Sequence, residues 1–256
     1  MGELMGRHYL DLVDARTVPT PGLVATHRAV ADLLGAAAMG VVHGMAGLGK
    51  TYAVEQALAR AGEDSACWAG FPSRPTMRLV AARLFEQLTC STAGRRSRFE
   101  LMDQLVEELT VRPRAIVVDE AQRLTSECIE FLRYLHDHPR TRFALILVGG
   151  DGCWEVLARE PMLRSRIFRR VNITPLTGEQ VCALMGTFHP IYTGVDKEVL
   201  LLVDDHFAHG NLRDWASFTH TAAKLCVEHG RQQLDAEIAR NTFALHGGGA
   251  GAGAGA

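Results

Sequence analysis

The sequence contains the octet Gly44-Met45-Ala46-Gly47-Leu48-Gly49-Lys50-Thr51. It fits the phosphate-binding loop pattern G-x-x-x-x-G-K-[ST] at every fixed position. An apolar stretch from Met39 to Val42 precedes the octet, and a helical pattern from Tyr52 to Ala61 follows it. An isolated octet of this kind could be an ordinary strand-to-helix turn. Its position between an apolar strand and a helix instead predicts a nucleotide-binding loop.

The residue types of the octet match the chemistry of phosphate binding. Glycines allow a tight loop whose N–H groups point at phosphate oxygens, and the helix N-terminus adds positive charge. We expect Lys50 to reach the terminal phosphates and Thr51 to place its hydroxyl on Mg²⁺. The predicted ATP-binding set is the whole octet from Gly44 to Thr51 together with Tyr52.

A second motif follows further along the chain. An apolar strand from Ala115 to Val118 ends in two acids, Asp119 and Glu120. We expect Asp119 to hold Mg²⁺, largely through water, and Glu120 to act as general base on the attacking water. Alone, the two acids could be a solvated strand end. Together with the loop they predict a nucleoside triphosphatase that uses ATP and Mg²⁺.

Composition limits the classes of protein that the chain can represent. A chain of 256 residues suits one compound domain or a large domain with a small one, and 47% hydrophobic residues suffice for a buried core. The net charge of −2 excludes a global positive field. Contact with nucleic acid therefore requires a local patch or many aligned subunits.

Targeting and redox signals are weak in this sequence. Six cysteines without a C-x-x-C pair predict reduced thiols, with neither a disulfide framework nor a zinc site. The first residues lack a basic segment followed by an apolar one, and no apolar run is long enough to span a bilayer. We expect a cytoplasmic protein without membrane contact.

Strand-like and helix-like segments alternate, which predicts an α/β fold with a parallel five-stranded sheet flanked by helices. The nucleotide site would lie at the carboxyl ends of the strands. The expected strands are 39–42, 65–71, 115–119, 143–148 and 171–173. The expected helices are 26–37, 52–61, 76–88, 99–109, 124–136, 154–157 and one from Met162.

Changes in composition divide the chain into four parts. Residues 1–25 are expected to form an N-terminal arm, and residues 26–176 the nucleotide-binding core. Residues 177–246 read as a small all-helical lid that opens with a capping box at Thr177. Residues 247–256 alternate glycine and alanine and are expected to be a disordered tail.

With these motifs in place, the chain resembles AAA+ ATPases over nearly its whole length. Within them it looks most like bacterial transposition ATPases of the Mu B and TniB kind, which are relatives of origin-recognition initiators. The motifs that carry this resemblance are 118–122 (VDEAQ) with Arg123-Leu124, 148–151 (VGGD), 161–167 (PMLRSRI) and 209–213 (HGNLR).

The resemblance implies a role for one arginine near the end of the core. Arg166 would be the arginine finger, which neutralises charge on the γ-phosphate held by an adjacent protomer, and Arg164 is the second choice. The alternative is that Arg164 and Arg166 belong, with Arg169 and Arg170, to a solvated basic face.

The resemblance also implies two sensors. Arg213 would contact the γ-phosphate from the lid, although it could equally be a surface helix arginine. Relatives carry Asn, Ser or Thr at the first sensor, whereas this chain has Gly150 and Asp151. Asp151 could still orient water, but an acid beside a triphosphate places the hydrolysis rate in question.

The partners implied by the resemblance are other copies of the chain, DNA and a recombination protein. ATP would favour a ring or helical filament on double-stranded DNA, without sequence preference, and this assembly would direct a transposase to target DNA. The alternative for the DNA-binding candidates is ordinary loop charge. Those candidates are Arg74, Thr76, Arg78, Arg95, Arg96 and Arg98.

Other nucleotide-binding families remain open as readings of the sequence. A helicase loader of the IstB or DnaC kind differs from the transposition ATPases in its partner. Signalling switches of the NB-ARC type usually end the acidic strand in Asp-Asp, and secretion-associated proteins of the ExeA type bring a membrane segment. The alternative from a different class is a nucleotide-gated scaffold, which hydrolyses slowly and does not act on DNA.

Overall fold

A parallel sheet forms the centre of the protein in the computed structural model, which describes residues 12–62, 66–111 and 114–247. The sheet has five strands in the order β2-β3-β4-β1-β5, and every neighbouring pair is parallel. The strands are β1 (Met39–His43), β2 (Cys67–Gly70), β3 (Arg114–Asp119), β4 (Phe143–Gly149) and β5 (Ile167–Asn172). The predicted α/β fold with a five-stranded parallel sheet is therefore confirmed.

Seven helices flank the sheet in the described part of residues 21–173. They are α1 (Pro21–Ala36), α2 (Lys50–Arg60), α3 (Met77–Thr89), α4 (Arg98–Val111), α5 (Ser126–Asp137), α6 (Cys153–Ala158) and α7 (Pro161–Arg164). All seven residues of β4 are buried, as expected for a continuous apolar run in a sheet covered on both faces. This rigid centre holds the ends of β1, β3 and β4 in fixed register.

Two elements begin four or more residues earlier than the sequence pattern predicts. The helix expected from Thr26 starts at Pro21, because proline suits a first helical turn, where its missing N–H is not needed. The strand expected from Val171 starts at Ile167. It is an edge strand whose residues 168–170 are exposed, so its sequence shows no apolar run.

The acidic strand continues into an irregular turn rather than directly into a helix. A 3-10 turn, Ala121–Arg123, follows β3, and α5 begins at Ser126. Thr125 caps α5, with its side-chain oxygen accepting from the Cys128 N–H at 3.3 Å. The helix expected from Leu124 is thus preceded by a separate turn that carries Gln122.

The described residues form two compact units, and one of them is the sheet with its helices (21–46 and 50–173). The other contains residues 12–20, 47–49 and 174–247 and is helical. Its helices are α8 (Gly178–Phe188), α9 (Lys197–Val203), α10 (Leu212–Glu228) and α11 (Ala236–Leu245). The segment from Thr177 onward is helical, as expected, and its capping box, Thr177 with Gln180, is present.

The helical unit has its own core. Trp215, Tyr192 and Phe218 are fully buried there, and the Tyr192 hydroxyl lies 2.7 Å from Thr219 Oγ1. The first eleven residues of the expected arm and residues 248–256 of the expected tail lie outside the described residues. Among the helices that the structure describes, none is long and apolar enough to cross a membrane.

Candidate nucleotide-binding site

The loop between β1 and α2 is shaped by glycines. Gly44, Gly47 and Gly49 have φ angles of 146°, 82° and 79°, which residues with a Cβ rarely adopt. A Cβ on Gly44 would also collide with the carbonyl oxygen of Ile173. The loop backbone therefore depends on glycine at these positions, as a phosphate cradle does.

The first two residues of α2 place polar groups at the end of this loop. Lys50 Nζ donates to the carbonyl oxygen of Met45 at 2.6 Å, so the ammonium group lies back over the loop. Thr51 Oγ1 donates to Asp119 Oδ2 at 3.0 Å. This hydrogen bond joins the loop to the acidic end of β3.

The two acids at the end of β3 have different surroundings. Asp119 Oδ1 accepts from the backbone N–H of Glu120 at 2.7 Å. Glu120 has a φ of 54°, an uncommon left-handed conformation that turns its side chain away from the strand direction. Its Oε2 accepts from Gln122 Nε2 at 2.8 Å and lies 3.3 Å from Arg123 Nη2.

A third carboxylate, Glu55, belongs to the same region and was not among the predicted site residues. Burial, and secondly the negative charge of Asp119, raise the pKa of Glu55. It lies four residues after Thr51 on α2, so both side chains share one helix face. That spacing from the loop threonine is the signal that could have identified it.

These oxygen groups fit a divalent cation. Mg²⁺ prefers hard oxygen ligands from one or two carboxylates, with phosphate oxygens and water completing its shell. The Thr51 hydroxyl and the Asp119 carboxylate would hold the ion. The raised pKa of Glu55 is a further sign that negative charge is concentrated there.

Two other titratable groups near the loop stay neutral. Burial, followed by the charge of Glu155, raises the pKa of Cys153 to about 12, so its thiol is protonated near neutral pH. His43 ends β1 and stacks on Trp154 with ring centroids 6.4 Å apart. Burial, then the charge of Arg170, lowers the pKa of His43.

Comparison with known proteins supports the same reading. Residues 34–157 match the family described as "AAA domain". The fold is the AAA+ P-loop fold. No curated protein sequence matches the chain.

Solved structures share this AAA+ fold at low sequence identity. Cdc6p from Pyrobaculum aerophilum has a TM-score of 0.72 and 18% identity, over 93% of this chain and 70% of that protein. The Aeropyrum pernix ORC2 protein in ADPNP-ADP complexes has a TM-score of 0.69 and 15% identity, over 92% and 70%. The Aeropyrum pernix ORC1 protein in complex with DNA has a TM-score of 0.61 and 19% identity, over 89% and 66%.

At the position where the resemblance implies a first sensor, β4 ends in glycine and Asp151 is exposed to solvent. Asp151 is exposed in the turn before α6, and it forms no hydrogen bond to any described residue. The Gly150 N–H instead donates to Gln122 Oε1 at 3.0 Å. The structure therefore brings Gln122, which the sequence reasoning assigned no role, to the place expected for Asp151.

The two candidate finger residues, Arg166 and Arg164, differ in their contacts. Arg166 Nε lies 3.2 Å from both oxygens of Asp137, the last residue of α5, and the Arg166 side chain is 50% exposed. Arg164 is exposed and has no ion pair or hydrogen bond from its side chain within the described ranges. The alternative, in which Arg164 and Arg166 belong to a solvated basic face, therefore does not describe both residues equally well.

The neighbouring arginines on β5 are engaged as well. Arg169 Nε pairs with Asp32 Oδ2 at 2.7 Å, and the guanidinium of Arg170 lies 4.4 Å from the ring centre of Trp154.

The candidate second sensor, Arg213, lies in the first turn of α10, where its N–H donates to Asn211 Oδ1 at 3.0 Å.

The predicted DNA-binding residues lie around the start of α3 and in the segment that leads into α4, and Arg78 connects these two regions. Arg78 Nη2 donates to the Gly94 carbonyl at 2.8 Å, and its Nε donates to the Arg96 carbonyl at 3.1 Å. Arg96 in turn donates to Thr92 and lies over Phe85. The guanidinium groups of Arg78 and Arg96 therefore hold the segment between α3 and α4 in place.

The remaining candidates divide in the same way. Thr76 caps α3, with its oxygen accepting from the Leu79 N–H at 3.3 Å. Arg74, Arg95 and Arg98 are exposed. Arg98 lies over its neighbour Phe99 with 4.7 Å to the ring centre. We call Arg74, Arg95 and Arg98 the basic patch.

Proposed function

We propose that this AAA domain binds ATP with Mg²⁺ and hydrolyses it to ADP and phosphate. The observation that carries the proposal is the hydrogen bond of 3.0 Å between Thr51 Oγ1 and Asp119 Oδ2. It unites the end of the glycine loop with the acid of β3, the two groups from which P-loop enzymes hold Mg²⁺ beside the phosphates.

Each residue has a physical role in this proposal. Lys50 exchanges its contact with Met45 for the terminal phosphates, because an ammonium group gains more from an anion than from a carbonyl. Mg²⁺ supplies neutralisation of the phosphate charge. Glu120 keeps Oε1 available as acceptor for the attacking water, since its contacts with Gln122 and Arg123 both involve Oε2.

Catalysis in this proposal requires a second copy of the chain. Arg166 lies outside the set formed by Thr51, Asp119 and Glu120, and its partner is Asp137 on α5. We infer that it serves the nucleotide of a neighbouring protomer, where a guanidinium group stabilises charge that develops in the transition state. ATP would then favour a ring or a helical filament.

Double-stranded DNA is the proposed surface on which the assembly forms. The basic patch gives each protomer a few phosphate contacts, and many aligned protomers add them together despite a net charge of −2 per chain. The similar fold of the ORC1 protein, solved in complex with DNA, is consistent with this use of the fold. Phosphate contacts of this kind carry no sequence preference.

The proposed biological role is transposition target selection, with a transposase or related recombination protein as partner. This part rests on the sequence motifs that resemble Mu B and TniB, among them Val118–Gln122 and Pro161–Ile167. The solved structures named above are initiator proteins, and a helicase loader remains the alternative within the same enzyme class.

The test is ATP turnover with and without double-stranded DNA at several protein concentrations. Turnover that DNA stimulates, more steeply at higher protein concentration, is the expected result. An ATP turnover rate that is the same with and without DNA would contradict assembly on DNA and favour a helicase loader or a protein-directed switch. Tight nucleotide binding without turnover would favour a nucleotide-gated scaffold. Lys50→Ala, which removes the ammonium group, serves as the background control.

A further inference from the structure

The side-chain amide of Gln122, which lies in the turn after β3, connects Glu120 at the end of β3 with Gly150 at the end of β4. Its Nε2 donates to Glu120 Oε2 at 2.8 Å, and its Oε1 accepts from the Gly150 N–H at 3.0 Å. Only the NH₂ group of an amide can donate to a carboxylate, and only its oxygen can accept from an N–H. The two partners therefore fix the amide in one orientation.

The glycines at the end of β4 make room for this amide. A Cβ on Gly149 would lie 2.5 Å from Gln122 Oε1 and would also collide with the Cys153 thiol. A Cβ on Gly150 would lie 3.3 Å from Gln122 Nε2. A side chain at Gly149 would thus compete with Gln122 for the same space, so the amide, which comes from the turn after β3, occupies the place beside the end of β4.

Glu120 needs such a support because its own backbone does not favour its position. A φ of 54° at a residue with a Cβ costs free energy and persists only where surrounding contacts fix it. The amide engages Oε2. Oε1 forms no hydrogen bond or ion pair to any residue in the described part of the chain.

Arg123 contacts the same oxygen but restrains it less. Its Nη2 lies 3.3 Å from Glu120 Oε2, and the two side chains are 47% and 45% exposed. Exposed ion pairs are weak because solvent screens them and long side chains lose entropy. The amide of Gln122 is half-buried and anchored at its other end on β4, so it is the more rigid of the two contacts.

We propose that Gln122 is the positioning residue for hydrolysis in this chain, fixing Glu120 against the end of β4 so that Oε1 faces the attacking water. The proposal rests on the proposed function, in which Glu120 is the general base. Gln122 acts through Glu120 and has no direct contact with nucleotide in this scheme.

The experiment compares Gln122→Met and Gln122→Glu in the full-length protein. Methionine removes both hydrogen bonds at nearly the same volume. Glutamate keeps an acceptor for the Gly150 N–H but, when ionised, cannot donate to Glu120 and repels its carboxylate, so it tests the contact with Glu120 even if methionine disturbs the fold. Both changes should lower kcat by about tenfold or more, because misorienting a catalytic group is costly, and leave nucleotide affinity within about threefold.

Gln87→Met is the matched control, since Gln87 is an exposed residue of α3 and should tolerate the same change. The decisive readout is coupling to Glu120→Gln, followed in single-turnover reactions. Gln122→Met should add no further loss in that background, because both changes disable one unit. A full, multiplicative loss in that background would overturn the proposal.

The results distinguish the positioning role of Gln122 from the role of Glu120 as general base. Normal turnover in Gln122→Glu and Gln122→Met, with turnover abolished in Glu120→Gln, would overturn only the role of Gln122. Normal turnover in Glu120→Gln would overturn the base assignment and the proposed function of that residue. A parallel fall in nucleotide affinity and kcat would also contradict a positioning role, because positioning a base affects the chemical step.

Discussion

Thr51 and Asp119 are 68 residues apart in sequence, yet their side chains share a hydrogen bond of 3.0 Å. The contact is possible because α2 begins after the glycine loop that follows β1, while β3 ends at Asp119 on the same edge of the sheet. Parallel strands put their carboxyl ends at one edge, so residues from distant segments meet there. The candidate catalytic chemistry is concentrated around this contact.

Replacement of Lys50 tests the phosphate contact. Lys50→Ala should weaken ATP binding by about two orders of magnitude, because the triphosphate would lose a desolvated cationic partner. Equilibrium binding of a fluorescent ATP analogue measures the change. Lys224→Ala, on an exposed position of α10, is the matched control and should bind normally. Unchanged affinity in Lys50→Ala would remove the loop from the site.

Replacement of Arg166 tests the finger assignment. Arg166→Ala should reduce turnover on the order of 10³-fold while leaving nucleotide affinity intact, because a finger acts on the transition state of a neighbour. Arg164→Ala should leave turnover near the unmodified level. The opposite ranking would transfer the role to Arg164, which lacks the ion pair that Arg166 forms with Asp137.

Mixing experiments decide whether Arg166 acts between subunits. Glu120→Gln subunits have an intact Arg166, and Arg166→Ala subunits have an intact Glu120. A mixture should therefore recover turnover at the interfaces where the two intact residues meet. Absence of recovery at every ratio, with assembly intact by light scattering, would argue against a finger in trans.

The basic patch can be tested through salt dependence. Arg74→Ala, Arg95→Ala and Arg98→Ala should each weaken DNA binding and lower the salt slope by about one per lost phosphate contact. Fluorescence anisotropy of labelled duplex DNA, measured across salt concentrations, gives the slope. A slope that stays unchanged in all three variants would place the DNA contact elsewhere.

Arg78→Ala serves as a contrast within the same region. Its guanidinium holds the carbonyl groups of Gly94 and Arg96, so this change should lower the melting temperature. A loss of DNA binding in Arg78→Ala would then reflect the position of the loop and not a phosphate contact.

The pKa of Glu55 leads to a prediction about stability and pH. Burial and the charge of Asp119 raise this pKa above its ordinary value of 4.5, so the folded protein holds the proton more tightly than the unfolded chain. The stabilising contribution of protonated Glu55 is complete below about pH 4.5 and is lost as the pH rises through the folded pKa.

Glu55→Gln should therefore melt at a higher temperature than the unmodified protein at pH 7, with the difference vanishing near pH 4. Thermal unfolding at the two pH values, without nucleotide or Mg²⁺, measures the effect. Glu107→Gln, at an exposed position of α4, controls for a general charge effect. A variant that is less stable at pH 7 would contradict the direction of the pKa shift.

The fold was accessible from sequence because its signals are local and periodic. The run of β4 is buried along its whole length and appears as continuous apolar sequence. β5 was placed too late because an edge strand with exposed residues does not carry that signal. α1 was expected to begin at Thr26 and begins at Pro21, because proline suits the first helical turn, where its missing N–H is not needed.

The candidate site could be predicted only where chemistry fixes residue type and spacing. The loop and the acids of β3 meet that condition. Gln122 does not, because its role depends on the distance between the turn after β3 and the end of β4. The ion pair of Arg166 with Asp137 is likewise a tertiary contact between two segments, and no local sequence pattern predicts it.

The strand order also sets the sequence in which the chain can assemble during synthesis. β1, which leads into the glycine loop, has β4 and β5 as its neighbours, and Met39 pairs with Leu145. β2 and β3 emerge from the ribosome before β1 has any strand to pair with. Such long-range pairing delays folding, so the nascent loop stays unsupported until β4 has been made.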